Sequence, residues 1–207
     1  FIHNIRQRSV AVIGLGYVGL TLSMVLADNG FSVVGFDTDE NLVGKLLKKE
    51  ASFFENGLEN LLQTHVGGNF KPTDSSDDLL ADIYVITVGT PIIPETMKPN
   101  VDHIRKAVAG IADKLKKNDL VVLRSTVPVG CTRSEVIPLL EEVSGLTAGS
   151  DFFVAFCPER TAEGRALKEL RELPQIVGGY DQHSRELGMR FFNENTHTVV
   201  DVGSLEA

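Results

Sequence analysis

Short apolar runs alternate with amphipathic stretches along the whole chain. The apolar runs predict strands, and the stretches in which apolar residues return every three or four positions predict helices. The predicted strands cover residues 10–14, 32–37, 69–72, 83–88, 120–124, 152–156, 175–177 and, as a possible last one, 198–201. The predicted helices cover residues 18–29, 41–49, 58–65, 101–116, 132–143, 166–173 and 184–193. Such alternation predicts an α/β fold with a doubly wound, mostly parallel sheet and helices on both faces.

The first predicted strand runs directly into a glycine-rich turn. Gly14, Gly16 and Gly19 have the spacing G-x-G-x-x-G, with a predicted helix behind them. In a dinucleotide site the first glycine permits the tight turn, the second lets the backbone approach a pyrophosphate, and the third lets the helix pack close to the strand. The phosphates then lie at a helix N-terminus, whose free N–H groups attract negative charge. The turn therefore predicts a Rossmann-type dinucleotide-binding domain, the alternative being an ordinary tight turn in an unrelated α/β protein.

An acidic residue ends the second predicted strand. Asp37 lies 18 residues after Gly19, about where a carboxylate binds the ribose hydroxyls of the adenosine half. A 2′-phosphate about 4 Å from this carboxylate would be repelled by roughly 4 kcal/mol per charge pair at an effective dielectric near 20. Residues 38–40 contain no arginine that could accept such a phosphate. We therefore predict NAD rather than NADP as the cofactor.

Composition and charge favour one large domain without nucleic-acid or membrane partners. The chain has 207 residues, of which 43% are hydrophobic, and a formal net charge of −8. The negative charge opposes nonspecific binding to nucleic acid or anionic lipid. No apolar run approaches the length of about 20 residues that crosses a bilayer, and no signal-peptide pattern is present, so we expect a cytoplasmic protein. The first residue is Phe rather than Met, which suggests a fragment.

The cysteines and histidines form no recognisable reactive or metal-binding pattern. Cys131 and Cys157 have no adjacent histidine, and small buried thiols are commoner than reactive ones. The five histidines are scattered, and no Cys/His cluster has metal-ligand spacing. We expect no metal site and no disulfide framework.

Three further segments follow predicted strands, at residues 89–91, 125–130 and 157–164. Loops at the carboxyl ends of parallel strands border the ligand crevice of such folds. Ser125 and Thr126 offer hydroxyl groups there, although Ser125 could instead cap the helix that follows.

The third segment contains two glutamates four residues apart. Glu159 and Glu163 would share one face if the segment were helical, with Arg160 beside them. A carboxylate in the crevice could act as general base toward a water, with its pKa tuned by burial and by the arginine. The alternative is a solvated helix start, where the helix dipole favours acidic residues.

Seven ordered motifs give the chain a resemblance over nearly its whole length. They are GLGYVGL (14–20), GFDTD (35–39), ENGL (55–58) where the family has EPGL, VGTP (88–91), STVPVG (125–130), PER..EG (158–164) and PQIVGG (174–179). With these motifs the chain resembles the N-terminal domain of the nucleotide-sugar dehydrogenases, namely the UDP-glucose and UDP-N-acetylhexosamine 6-dehydrogenases. Such enzymes use two NAD to oxidise the sugar C6 alcohol through an aldehyde to a carboxylate, by way of a thioester on a catalytic cysteine.

The resemblance implies roles for individual residues. Catalytic roles fall on Thr126 and Glu159, which would position and activate the hydrolytic water, and on Glu163 near the nicotinamide. Arg160 matches a substrate-binding arginine of the N-acetylhexosamine branch. Cofactor contacts fall on Gly14, Gly16, Tyr17, Val18 and Gly19 at the pyrophosphate, on Asp37 at the ribose, and on Thr90, Ser125, Thr126 and Glu163 around the rest of the NAD.

The substrate signature is mixed. Arg160 resembles the N-acetylhexosamine branch, whereas Glu163 followed by Gly164 resembles the UDP-glucose branch. An N-acetylhexosamine such as N-acetylmannosamine is slightly favoured.

The family's nucleophile motif, similar to G-x-C-F-P-K-D, does not occur in these 207 residues. We therefore expect residues 1–202 to form the NAD-binding domain and residues 203–207 to begin the linker to a central helix and a UDP-sugar domain. This fragment alone would bind NAD without turnover, and the full-length protein would be a homodimer or larger. Two alternatives stay open: the N-terminal domain of a β-hydroxyacid-type dehydrogenase, and a non-catalytic NAD-binding module.

Overall fold

A twisted sheet of eight strands forms the centre of the computed structural model, which describes residues 5–206. The ten strands, two of them in a separate hairpin, are β1 (Val10–Ile13), β2 (Val33–Phe36), β3 (Phe70–Thr73), β4 (Ile83–Ile86), β5 (Ile92–Ile93), β6 (Lys98–Pro99), β7 (Leu120–Leu123), β8 (Phe153–Phe156), β9 (Gln175–Gly179) and β10 (Val199–Ser204). The main sheet has the order β10-β9-β8-β7-β4-β1-β2-β3. All neighbouring pairs are parallel except β8 with β9, so the predicted mostly parallel sheet is confirmed.

Helices cover both faces of the sheet. They are α1 (Tyr17–Asp28), α2 (Glu40–Leu47), α3 (Leu58–His65), α4 (Asp102–Ala112), α5 (Ile137–Ser144), α6 (Ala166–Glu172) and α7 (Gln182–Asn193). Alternate residues of β1 show how the two layers form, because successive side chains of a strand point to opposite faces. Val10 and Val12 pack into the hydrophobic cluster that includes residues of α1, α3, α6 and α7. Ala11 and Ile13 pack into the second cluster, with residues of α4 and α5. The doubly wound Rossmann-type fold is confirmed.

Side-chain caps decide where two of the helices begin. The Asp39 carboxylate accepts hydrogen bonds from the N–H groups of Asn41 and Leu42, at 2.9 and 3.2 Å. The Asp181 carboxylate accepts one from the N–H of Ser184 at 2.7 Å. Because such a cap binds donors of the first turn, α2 and α7 start one and two residues earlier than predicted.

The helix predicted over residues 132–143 begins with a π-helical turn, Thr132–Val136. The N–H of Ile137 bonds to the carbonyl of Thr132, five residues back, instead of four. Pro138 follows at once, and it has no N–H with which to continue the α-helical ladder. The apolar periodicity predicted the helix, but it could not distinguish a π-helical first turn from an α-helical one.

Strand structure extends into two segments where no strand was predicted. The proline-rich loop after β4 contains the antiparallel hairpin of β5 and β6. At the other end of the chain, β10 runs to Ser204, Leu205 is buried, and Glu206 pairs with Arg133 at 2.7 Å. The boundary expected after residue 202 therefore falls inside a strand. No helix within residues 5–206 is long and apolar enough to span a membrane.

Candidate functional site

The glycine turn connects β1 to α1 with very close backbone packing. Gly14 has a φ of +96°, a left-handed conformation that side chains disfavour. A Cβ atom on Gly19 would lie 1.8 Å from the carbonyl oxygen of Gly14, so α1 can approach the turn only with glycine there. A Cβ on Gly16 would meet nothing within 4 Å. The turn thus leaves open space at its central glycine, where a ligand can approach the backbone.

The N-terminus of α1 faces this open space without a side-chain cap. Gly16 is the N-cap residue, and no side-chain hydrogen bond caps the helix in the described part of the chain. The first N–H groups of a helix lack partners within it, and together with the helix dipole they bind anions such as phosphate. A pyrophosphate fits this position.

Asp37 is fixed beside the turn by a hydrogen bond. Its Oδ2 accepts the N–H of Leu15 at 2.7 Å, and its Oδ1 accepts the N–H of Asp39 at 3.0 Å. Each carboxylate oxygen keeps a further lone pair for a ligand hydroxyl. The oriented carboxylate therefore suits the ribose hydroxyls of NAD.

A cleft of about 490 Å³ joins these features. Gly14, Gly16 and Asp37 line it together with residues after β4 and on α4. The further lining residues include Thr38, Ser76, Leu79, Thr87, Val88, Gly89, His103 and Lys106. The open glycine turn, the uncapped helix and the carboxylate in one cleft fit a dinucleotide.

Thr90 and Ser125 join two loops at the edge of the sheet. The Thr90 hydroxyl donates to the carbonyl of Thr126 at 2.5 Å, and the Ser125 hydroxyl donates to the carbonyl of Val88 at 2.7 Å. Ser125 is buried, while Thr126 is exposed. The expected cofactor contacts of Thr90 and Ser125 would therefore come from hydroxyls that already bind the neighbouring loop.

Beneath these loops lies the largest fully buried side chain among the described residues, Arg124. Its Nε donates to Oε2 of Glu159 at 2.9 Å, and its Nη2 lies 2.7 Å from the same oxygen, as an ion-pair contact outside hydrogen-bond alignment. Its Nη1 donates to Oε1 of Gln175 at 3.0 Å and lies 3.2 Å from Sγ of Cys157. Arg124 directly precedes the 125–130 loop, so one guanidinium joins that loop to the 158–164 loop.

Glu159 is held as a carboxylate by donors on both oxygens. Its Oε1 accepts the N–H groups of Arg160 and Thr161, at 2.7 and 2.6 Å, while Oε2 faces Arg124. Burial alone would raise the pKa of Glu159, but the Arg124 charge and the hydrogen bonds from Thr161 outweigh it and lower the pKa. Its acceptor positions are therefore occupied by the protein, which suits an ionised group that orders the loop.

Two residues of the 158–164 loop, Arg160 and Glu163, are exposed. Arg160 donates from Nη1 to the carbonyl of Pro174 at 3.4 Å, and Glu163 is exposed next to Gly164. The loop is tied back to the glycine turn by Tyr17, whose hydroxyl accepts the N–H of Gly164 at 2.9 Å. None of Arg160, Glu163 or Tyr17 lines the 490 Å³ cleft.

Sequence reasoning missed two buried polar residues and two cleft residues. Arg124 was predicted only to be the last residue of a strand. Glu55 was noted only as part of a motif, although Glu55 is 5% exposed. The sequence signal for Glu55 was the ENGL motif itself. His103 and Lys106 lie on α4 at the cleft, where their spacing of one helical turn is the only sequence signal.

Neither cysteine has the surroundings of a nucleophile. Cys157 is fully buried, and this burial raises the pKa of its thiol to about 11. Burial also raises the pKa of Cys131. Because the thiolate is the reactive form, burial makes both thiols less reactive than an exposed cysteine. No group of three or more metal-ligating side chains occurs within residues 5–206.

Comparison with known proteins agrees with this geometry. The description "UDP-glucose/GDP-mannose dehydrogenase family, NAD binding domain" belongs to the family model that matches residues 8–196. The UDP-N-acetyl-D-mannosamine dehydrogenase of Campylobacter jejuni is 37% identical over 190 residues, which are 88% of this chain and 46% of that protein. The chain thus spans about half the length of the curated relatives it matches.

Solved structures give the same result. The UDP-D-ManNAc dehydrogenase of Pyrococcus horikoshii superimposes with a TM-score of 0.91 at 30% identity, over 95% of this chain and 47% of that one. A ternary complex of GDP-mannose dehydrogenase from Pseudomonas aeruginosa gives 0.88 at 28% identity, over 95% and 46%. With its glycine turn and carboxylate arranged for NAD, the chain belongs to the UDP-glucose/GDP-mannose dehydrogenase family and carries that family's NAD-binding domain.

Proposed function

We propose that this chain is the NAD-binding part of an enzyme that oxidises the C6 alcohol of a UDP-sugar to the uronate. The observation that carries the proposal is that residues next to the cleft contact two further loops: Thr90 follows the lining residue Gly89, and Tyr17 follows the lining residue Gly16. Thr90 binds the 125–130 loop, and Tyr17 binds the 158–164 loop. A cofactor bound in the cleft would therefore lie beside the residues that the resemblance assigns to catalysis.

The reaction proceeds in two oxidations. The alcohol first loses a hydride and a proton to give the aldehyde; the aldehyde, with one water, then loses a second hydride and gives the carboxylate, with release of two protons. NAD, when bound, supplies the hydride acceptor for each oxidation. Gly14, Gly16, Tyr17, Val18 and Gly19 would hold its pyrophosphate through their backbone, and Asp37 would hold its ribose. Thr90, Ser125 and Glu163 would contact the nicotinamide half of the cofactor.

Thr126 and Glu159 serve the hydrolytic part of the second oxidation. Thr126 is exposed, so its hydroxyl could bind a water, and Glu159 would supply a fixed negative charge next to the loop. Because protein donors occupy both oxygens of Glu159, this carboxylate would orient the loop and act on the water only through it, and it could take a proton only after a backbone hydrogen bond opens.

A UDP-N-acetylhexosamine is the favoured substrate over UDP-glucose. Arg160 is exposed on the loop, where its guanidinium can reach a ligand. The names of the relatives from Campylobacter jejuni and Pyrococcus horikoshii, both UDP-N-acetyl-D-mannosamine dehydrogenases, support the same choice.

The thiol nucleophile belongs outside these 207 residues. Cys131 and Cys157 are both buried, and burial raises the pKa of each thiol. We propose that residues 1–202 belong to the NAD-binding domain, that this domain continues through the end of β10 at Ser204, and that the chain then leads into the rest of a dimeric or larger enzyme. The chain alone then binds NAD without oxidising a sugar.

An activity assay of the full-length protein that carries this chain tests the proposal. The protein is incubated with NAD and, separately, UDP-N-acetylmannosamine, UDP-glucose and a β-hydroxyacid, and NADH and uronate are both quantified. We expect two NADH per uronate, with the N-acetylhexosamine oxidised faster. Oxidation of the β-hydroxyacid alone, or of no substrate, would show that the proposed function is wrong.

A further inference from the structure

Tyr17 contacts two loops outside the glycine turn. It is the first residue of α1, yet its side chain does not line the NAD cleft. Its hydroxyl donates to Oε2 of Glu55 at 2.6 Å and accepts the N–H of Gly164 at 2.9 Å. The carbonyl of Ala162 lies 3.1 Å from the same hydroxyl. One oxygen atom thus connects the glycine turn, the 55–58 segment and the 158–164 loop.

Glu55 holds the Tyr17 hydroxyl in place and is itself buried and hydrogen-bonded. It is 5% exposed, and its Oε1 accepts the N–H of Leu167, in the first turn of α6, at 3.3 Å. A buried carboxylate is costly unless it is hydrogen-bonded, so these two donors explain its position. Burial and the Glu55 hydrogen bond raise the pKa of Tyr17 to about 12. The hydroxyl is protonated at neutral pH even at the ordinary tyrosine pKa of about 10, so it donates to Glu55.

The hydroxyl and the ring of Tyr17 have separable contacts. The ring packs against Phe53, with centroids 4.9 Å apart and planes tilted by 54°. Tyr17→Phe keeps this packing and removes only the contacts of the hydroxyl, with Glu55, Gly164 and Ala162. A loss that follows this substitution is therefore due to the hydrogen bonds and not to a cavity.

We propose that Tyr17 and Glu55 are positioning residues, which hold the end of the 158–164 loop, with Glu163, against the N-terminus of α1. The loop is then anchored at both ends, by Arg124 through Glu159 and by Glu55 through Tyr17. The kinetic part of this inference rests on the proposed function, but the structural part does not.

Amide hydrogen exchange on the 207-residue chain tests the structural part. Tyr17→Phe should speed exchange of the Gly164 amide by about tenfold, and Glu55→Met, which removes both carboxylate oxygens, should do the same for Leu167. Amides of β1 and β4 should be unchanged. Tyr180→Phe is the matched control, because Tyr180 contacts Arg133 through its ring, away from this loop. Unchanged exchange at both Gly164 and Leu167 would overturn the proposal.

Kinetics of the full-length protein test the functional part. We expect Tyr17→Phe to lower kcat by about tenfold with little change in KM for NAD, because the backbone of the turn is untouched. Glu55→Gln added to Tyr17→Phe should lower kcat no further, since both act through one hydrogen bond. An unchanged kcat, or a rise in KM alone, would contradict the positioning role. If the wild-type protein oxidises no nucleotide sugar, the proposed function fails, and the exchange result still decides the positioning.

Discussion

The Arg124 guanidinium, fully buried, contacts a single carboxylate, that of Glu159, at 2.7 and 2.9 Å. Removal of one partner of such a pair leaves a buried charge without compensation, which costs about 3–5 kcal/mol. We expect Arg124→Met to lower the free energy of unfolding by this amount in denaturant titrations of the chain.

Arg171→Met is the matched control for this substitution. Its partner is Asp28, at 2.7 Å, and both side chains are more than one-third exposed. Exposed pairs contribute at most about 1 kcal/mol, so this variant should stay near the wild type. Equal losses in the two variants would contradict a special role for the buried pair.

The lowered pKa of Glu159 predicts a pH dependence of stability. A carboxyl whose pKa is lower in the folded state stabilises the fold above its unfolded pKa, about 4.3 for Glu, and this stability is lost as the pH falls through the folded value. The deficit of Glu159→Gln relative to wild type should therefore be largest near neutral pH and shrink in acid. Glu172→Gln removes an exposed carboxylate and is the control. A deficit that does not change with pH would contradict the ion-pair explanation.

Substitutions at Gly16 and Gly19 should separate an effect on cofactor binding from an effect on protein stability. A Cβ on Gly16 meets open space, so Gly16→Ala should change stability by at most about 1 kcal/mol. The same methyl group would obstruct a pyrophosphate, and we expect the Kd for NAD to rise by about tenfold or more. Gly19→Ala would place Cβ 1.8 Å from the Gly14 oxygen and should cost about 3 kcal/mol or more. Calorimetric titration with NAD measures the Kd, and thermal unfolding measures the stability of each variant. Equal stability losses in Gly16→Ala and Gly19→Ala would be inconsistent with the structure.

Asp37 should control the preference for NAD over NADP. Asp37→Asn keeps an acceptor for the N–H of Leu15 but removes the charge that repels a 2′-phosphate. The ratio of the Kd for NADP to the Kd for NAD should fall by about tenfold or more, which corresponds to about 1.4 kcal/mol. Asp39→Asn, at the start of α2 and outside the cleft lining, should leave the ratio unchanged. An unchanged ratio in Asp37→Asn would contradict the ribose assignment.

The sequence predicted what depends on local pattern. Alternating apolar runs predicted the sheet, and α3 has the predicted bounds, residues 58–65. The turn at Gly14 and the carboxylate of Asp37 lie in one cleft, as their spacing indicated.

Contacts between distant residues could not be predicted in this way. Arg124 and Glu159 are 35 residues apart, and Tyr17 and Gly164 are 147 apart. Local periodicity contains no information about such pairs. It also could not show that β9 runs antiparallel to β8, because the direction of a strand depends on where the chain returns to the sheet.

Calorimetric titration of the 207-residue chain with NAD and with NADP tests the central claim most directly. We predict one NAD bound per chain, tighter than NADP, and no NADH formed when UDP-N-acetylmannosamine is added to the chain with NAD. Absence of NAD binding, or tighter binding of NADP, would contradict the assigned cleft; NADH formation by the chain alone would contradict a nucleophile outside it.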